Sequence, residues 1–240
     1  MEFTPQIRND FYDVLSNRPT ARNLIKNLEQ KSNLLMFGGC IRDYYEHQFY
    51  YIPRDFDIVI TDLDQDLESF LEKFNFNYKR NKFGGYKIKV DDLQFDMWEI
   101  ENTWAFKEKI VEYRRFLDLN KTVFLNIDSI FYDLNKGILF DEGFSNAMTT
   151  REIDIVLTPN PYPELNIARA FRYKYKYNLK FSNQLQRYLD KWINNFEDKL
   201  YAINYLKDIE LKRYKTSIID WNYETSNTIF HRYKDIIVSG

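Results

Sequence analysis

Apolar side chains recur at Ile7, Phe11, Val14 and Leu15 and again at Ala21, Leu24, Ile25 and Leu28, which predicts two amphipathic helices broken at Asn17-Arg18-Pro19. The pattern then changes. Leu34-Leu35-Met36-Phe37 is a continuous apolar run stopped by Gly38-Gly39, the form of a buried strand, and Ile41 to His47 returns to helical spacing. Phe56-Asp57-Ile58-Val59-Ile60 predicts a second strand, and Leu67, Phe70, Leu71 and Phe74 place a helix over Asp64 to Phe74. Tyr86 to Val90 and Gln94 to Trp98 alternate in type on either side of Asp91-Asp92-Leu93 and read as neighbouring antiparallel strands.

A mixed region of short elements runs from there to about Leu157. Thr158-Pro159-Asn160-Pro161-Tyr162-Pro163 is the clearest breaker cluster, and it sets the expected domains at 1–157 and 158–240. Beyond it Leu165 to Tyr177, Asn183 to Phe196, Lys199 to Lys215 and a last segment near Ser226 to Ile237 are patterned as helices. No internal repeat or low-complexity stretch interrupts this order. The expected fold class is α+β: a mixed or antiparallel sheet flanked by helices, followed by a helical part.

Composition narrows the classes. Hydrophobic residues make up 44% and charged residues 29%, with only 7 Gly and 6 Pro, which fits a globular chain and excludes a disordered or fibrous one. No apolar run approaches the roughly 20 residues that cross a bilayer, and the opening MEFTPQIRNDF lacks a basic segment followed by an apolar core, so a cytoplasmic chain with no membrane partner is expected. The single Cys40 and the two histidines, His47 and His231, do not make a zinc site. Net charge is −2, giving no global attraction to nucleic acid, but its placement is uneven. Residues 165–240 hold 14 Lys and Arg against 8 Asp and Glu, and residues 1–164 carry the acidic excess. Aromatic residues reach 18%, read mainly as core and half-buried surface.

Three features carry candidate chemistry. Gly38-Gly39 stand between a strand and a helix, where the backbone can approach a bound group and the helix offers unpaired N–H donors, a phosphate site; a steric turn is the alternative. Asp55 and Asp57 project to one side of the strand they open, while Phe56 turns into the core. Such a pair repels unless a cation neutralises it, and all-oxygen ligation suits Mg²⁺; a surface pair at a strand end is the alternative. Asp96 lies between Phe95 and Met97 on an otherwise apolar strand. If it faces Asp55 and Asp57, three carboxylates could hold two metals; Glu99 is the substitute if the register is shifted.

Leu34 to Asp43, containing Gly38-Gly39-Cys40-Ile41-Arg42-Asp43, followed by Arg54-Asp55-Phe56-Asp57-Ile58-Val59-Ile60-Thr61, resembles the motifs of the class II tRNA nucleotidyltransferases (CCA-adding enzymes) and bacterial poly(A) polymerases, within the polymerase-β-like nucleotidyltransferases. That family shows Gly-Gly-x-x-Arg-Asp and then a basic residue before Asp-x-Asp. Ile127 to Leu134 with Gly137 to Asp141 is similar to a further head segment, and Ile167-Ala168-Arg169-Ala170-Phe171-Arg172-Tyr173 to the neck helix. The resemblance covers about residues 30–180, head plus neck. It does not extend to the family's Arg-Arg-Asp, where this chain has Thr122-Val123-Phe124, or to the base-reading Glu-Asp-x-x-Arg, where it has Tyr162-Pro163-Glu164-Leu165-Asn166.

The resemblance implies a head domain over 1–157, a helical neck and short body over 158–240, and transfer of NMP from an NTP to a hydroxyl with release of pyrophosphate. It implies two Mg²⁺ (or Mn²⁺) on Asp55, Asp57 and Asp96, and triphosphate contacts from Gly38, Gly39, Arg42, Arg54, Arg169 and Arg172. Arg42 is equally a candidate salt-bridge partner, and Asp43 and Cys40 are read as structural. The expected acceptor is an RNA 3′ end, tRNA or tRNA-like. The alternatives are transfer to a protein or small molecule, a toxin or defence modification of RNA, and a non-catalytic nucleotide-binding module.

Overall fold

The short apolar runs pair into one sheet in the computed structural model, which describes residues 4–225. Its strands are β1 (Asn33–Phe37), β2 (Phe56–Thr61), β3 (Tyr78–Arg80), β4 (Tyr86–Val90), β5 (Leu93–Glu99), β6 (Phe131–Asp133) and β7 (Ile138–Phe140). They are ordered β3-β4-β5-β2-β1-β6-β7, with every pairing antiparallel except β2 with β5. That parallel pairing positions the candidate site, because it sets Asp57 directly beside Asp96.

Six helices accompany the sheet: α1 (Thr4–Val14), α2 (Pro19–Glu29), α3 (Gly39–His47), α4 (Leu67–Lys73), α5 (Trp104–Lys107) and α6 (Glu142–Thr150). Pro19 begins α2 at a position where its missing N–H costs nothing. The face of the sheet turned to α1 and α3 is aromatic: Phe56 stacks on Phe95 at 5.6 Å and meets Phe11 at 5.2 Å and Phe49 at 5.7 Å. Each such fully buried ring contributes roughly 2–3 kcal/mol of burial. The opposite face holds a second cluster of Leu35, Val59, Ile100, Phe106, Leu119 and Phe131, with Phe37 and Trp98 at its margin.

Several boundaries move for local reasons. The expected helix from Asp64 starts at Leu67, because the Asp66 side chain accepts the Ser69 N–H and caps it there. The connection at Asp91-Asp92-Leu93 is a two-residue turn, since Leu93 is buried and pairs with Val90 while Asp91 takes φ +51°. Strand β3, too short and polar to read from its pattern, joins the sheet beside β4. The mixed region contains 3₁₀ turns at Ile100–Asn102, Phe116–Lys121 and Asn126–Asp128 as well as β6, β7, α5 and α6.

Internal contacts divide the chain into two units, Met1–Asn146 and Ala147–Gly240. The second contains a parallel pair, β8 (Glu152–Ile153) with β9 (Lys180–Phe181), and the helices α7 (Pro163–Tyr177), α8 (Asn183–Ile193), α9 (Lys199–Tyr214) and α10 (Trp221–Tyr223). The helix expected near Ser226 to Ile237 lies outside the described residues. Among the described residues no helix is long and apolar enough to cross a membrane.

Candidate active site

Asp57 and Asp96 are register partners on β2 and β5, so both project from the face opposite Phe56 and Phe95. The same face continues along these strands to Val59 and Trp98, and the Trp98 indole meets Phe37 edge-on at 6.4 Å. The carboxylates thus stand where a packed apolar cluster gives way to solvent. Asp96 Oδ2 lies 3.0 Å from Lys87 Nζ, while Asp96 Oδ1 is buried with no hydrogen-bond partner. Asp55, one residue before β2, accepts from Arg54 Nε at 3.0 Å and Nη2 at 2.7 Å on the same oxygen.

Gly38 caps α3 with φ +64°, a left-handed conformation that favours glycine, and its N–H donates to Ile130 O at 2.9 Å. A Cβ built there would meet nothing within 4 Å, and one on Gly39 would find only the Arg42 guanidinium at 3.6 Å. The space above the turn is therefore open. Cys40, in the first turn of α3, is buried, and its Sγ lies 3.5 Å from Phe37 O. Burial pushes this thiol up first, and the negative charge of Asp57 adds to it, with smaller contributions from Asp43 and Asp55. The glycine turn and the carboxylates therefore share one electrostatic neighbourhood.

The arginines divide. Arg42 is buried and ion-paired with buried Asp128, and Asp43 lies 3.8 Å from it. Arg54 has a largely exposed guanidinium beside Asp55. Arg169 and Arg172 belong to the second unit. Arg169 Nη2 donates to the Tyr173 hydroxyl at 3.2 Å. Arg172 pairs with fully buried Glu210 at 3.0 Å and lies over the Tyr214 ring at 4.3 Å. Glu99 is occupied elsewhere, accepting the Leu67 N–H at the start of α4 and the Asn102 amide, each at 2.8 Å. A cavity of about 520 Å³ opens beside Glu99 at the far end of β2 and β5, lined in part by Asp62, Asp64 and Glu101. His47 is half exposed beside Glu46 and Tyr51.

The structure brings Asp57 and Asp96 together, with Asp57 the member of the pair that lies near the glycine turn, and turns Asp55 to Arg54. Among the described residues no three His, Cys, Asp or Glu side chains are grouped to hold a metal ion. The donors nonetheless fit Mg²⁺ in kind: they are carboxylate oxygens, and the unpartnered Asp96 Oδ1 is a buried polar atom that a cation would satisfy. Lys87 was missed in the sequence. Its signal was the hairpin itself, since a turn at Asp91-Asp92 carries Lys87 to the position opposite Asp96.

No protein-family model and no curated protein matches the chain. Solved structures do. A tRNA-processing enzyme in an apo form superposes with a TM-score of 0.54 at 17% identity, covering 88% of this chain and 59% of its own. A CCA-adding enzyme in complex with ATP gives 0.54 at 19% identity, with 82% and 49% covered. A tRNA nucleotidyltransferase complexed with a primer tRNA and an incoming ATP analog gives 0.50 at 17% identity, with 86% and 76% covered. The chain spans about half to three-fifths of the length of the first two. Over most of its own length, then, this chain is folded as the tRNA nucleotidyltransferases are.

Proposed function

We propose that the protein is a divalent-metal-dependent nucleotidyltransferase, with a head over residues 1–157 and a helical neck and short body over 158–240. It transfers NMP from an NTP to a hydroxyl acceptor, with an RNA 3′ end of tRNA-like form as the acceptor class. The observation that carries this reading is the juxtaposition of Asp57 and Asp96, with Asp57 near the open Gly38-Gly39 turn, on a fold shared with enzymes of that chemistry. The similar structures include complexes with CTP, with ATP and with a primer tRNA, which supports NTP and tRNA as partners. A cytoplasmic location is consistent with these partners.

Asp55, Asp57 and Asp96 would hold two Mg²⁺ ions, whose chemistry is to stabilise charge on the triphosphate and lower the pKa of the acceptor hydroxyl. Gly38 and Gly39 leave the backbone exposed to the phosphates, and the first turn of α3 directs its N–H groups toward them. Arg54 neutralises phosphate charge at the edge of the site. Asp96 orients the acceptor hydroxyl and assists removal of its proton. The acceptor oxygen attacks the α-phosphorus in line, the bond to the β-phosphate oxygen breaks, and pyrophosphate leaves. Arg42 contributes indirectly by tying α3 to the Asn126–Asp128 turn. Arg169 and Arg172 are assigned to the second unit's own packing.

The test is incubation of the full chain with each α-labelled NTP, Mg²⁺ and total RNA. Label is expected on RNA, and Asp55→Ala with Asp57→Ala should abolish it without loss of folded protein. Label on protein or a small metabolite would redirect the acceptor class, and no transfer from any NTP would overturn the reading.

A further inference from the structure

Lys87 stands in β4 directly opposite Asp96, on the other side of β5 from Asp57. One row across three strands therefore runs cation, carboxylate, carboxylate. Carboxylates on neighbouring strands, about 4.8 Å apart, repel one another. The Lys87 ammonium, 3.0 Å from Asp96 Oδ2, offsets that repulsion in the metal-free chain. It does so through one oxygen only, and the other, Oδ1, stays buried and unpartnered. The two side chains differ in exposure, 46% for Lys87 against 17% for Asp96. The ammonium thus reaches in from solvent on a flexible stem and can withdraw without becoming a buried charge.

We infer that Lys87 is a built-in counter-cation that keeps the affinity of the carboxylate pair for free divalent ions low and favours an ion that arrives with a triphosphate. The inference rests on Asp57 and Asp96 being the metal-bearing pair, and it adds a residue that tunes their loading. A bare divalent ion approaching Asp96 meets a positive charge already seated there and must share or displace it. An ion carried by a triphosphate belongs to a complex of net negative charge, which the same ammonium attracts. Lys87 is thus a positioning residue, acting on the ion through Asp96.

Titration of the nucleotide-free full chain with Mn²⁺, followed by the EPR signal of the free ion, tests this directly. Lys87→Met keeps the apolar stem and removes the charge, and it should bind Mn²⁺ on the order of tenfold tighter than wild type, as expected for one partly screened like charge removed. Lys87→Arg should stay within about twofold of wild type, since it restores the charge. With α,β-methylene ATP present, the advantage of Lys87→Met should shrink or vanish. Unchanged or weaker Mn²⁺ binding by Lys87→Met, while wild type binds the ion, overturns the counter-cation role and leaves the carboxylate assignment standing. Weaker nucleotide binding by Lys87→Met at unchanged Mn²⁺ affinity makes Lys87 a phosphate ligand and likewise overturns it. If neither protein binds Mn²⁺ with or without the nucleotide, the carboxylate assignment itself falls, and this inference falls with it.

Discussion

Asp57 and Asp96 lie abreast on the two parallel strands of an otherwise antiparallel sheet, on the face that Phe56 and Phe95 turn away from. Two carboxylates abreast repel one another, a cost that Lys87 offsets in part and a bound divalent cation would remove. Asp57→Asn or Asp96→Asn should therefore lower nucleotidyl transfer by about a thousandfold or more, as loss of metal-borne charge stabilisation does, and should leave the thermal midpoint unchanged or raised. Single-turnover assays with labelled NTP, paired with thermal melts, read both effects.

Glu99 gives the matching control. Its carboxylate accepts the Leu67 N–H that begins α4 and the Asn102 amide. Glu99→Ala should destabilise the fold by about 1 kcal/mol, the usual cost of a lost helix cap, with transfer per folded molecule retained. Urea unfolding measures the first, and the transfer assay at low temperature the second. A collapse of transfer in Glu99→Ala comparable to that of Asp96→Asn would move the third carboxylate to the other face of β5.

Much of this arrangement could be read in the sequence, and the parts that could not have physical reasons. The runs at Leu34–Phe37 and Phe56–Ile60 announce buried strands because two covered faces leave no polar alternation. The tight turn at Gly38 was legible because an open left-handed position favours glycine. Pairing was not legible in the same way. The carboxyl row depends on β2 lying parallel to β5, a long-range choice that the local pattern leaves open. The engagement of Arg42 by Asp128 was equally hidden, because it joins positions 86 residues apart. Lys87 looked like any solvent-facing residue of an alternating strand until the two-residue turn fixed its partner.

The Arg42–Asp128 pair makes a separate prediction. Both side chains are buried, so removing Asp128 takes from the Arg42 guanidinium its nearest counter-charge and leaves the more distant Asp43 at 3.8 Å. Asp128→Ala should destabilise by about 3–5 kcal/mol, and Arg42→Met with Asp128→Leu should recover most of that loss, because a buried pair gains little over a packed apolar one. Chemical denaturation of the three proteins distinguishes the cases. Additive losses in the double variant would mean that the two side chains act independently.

Asp118 sets a pH dependence. The Lys121 ammonium at 2.7 Å, together with the Arg114 and Arg115 backbone N–H groups, holds its carboxyl at about 2, below the ordinary 3.8. A carboxyl depressed in the folded state stabilises the fold above its unfolded pKa, and that contribution is lost as pH falls from 3.8 toward 2. Asp118→Asn should melt below wild type at neutral pH, and the gap should close as the pH approaches 2. Thermal melts across that range check it, and a gap independent of pH would assign the stabilisation to packing.

The last prediction separates binding from structure at Arg172. Glu210 is fully buried and accepts from Arg172 Nη1 at 3.0 Å, Ser217 Oγ at 2.7 Å, the Ile218 N–H at 3.0 Å and Trp221 Nε1 at 2.9 Å. Four donors converge on one carboxylate, and only one of them carries the full charge that balances it. Arg172→Ala should therefore lower stability by about 3 kcal/mol, the range for removing one partner of a buried pair. Glu210→Gln should cost about 1–2 kcal/mol, because an amide keeps one acceptor oxygen but places N–H donors against the others. Both variants should retain the wild-type KM for NTP when assayed well below their melting points. A Tm equal to wild type with a raised KM in Arg172→Ala would instead show that this guanidinium leaves Glu210 to meet the triphosphate.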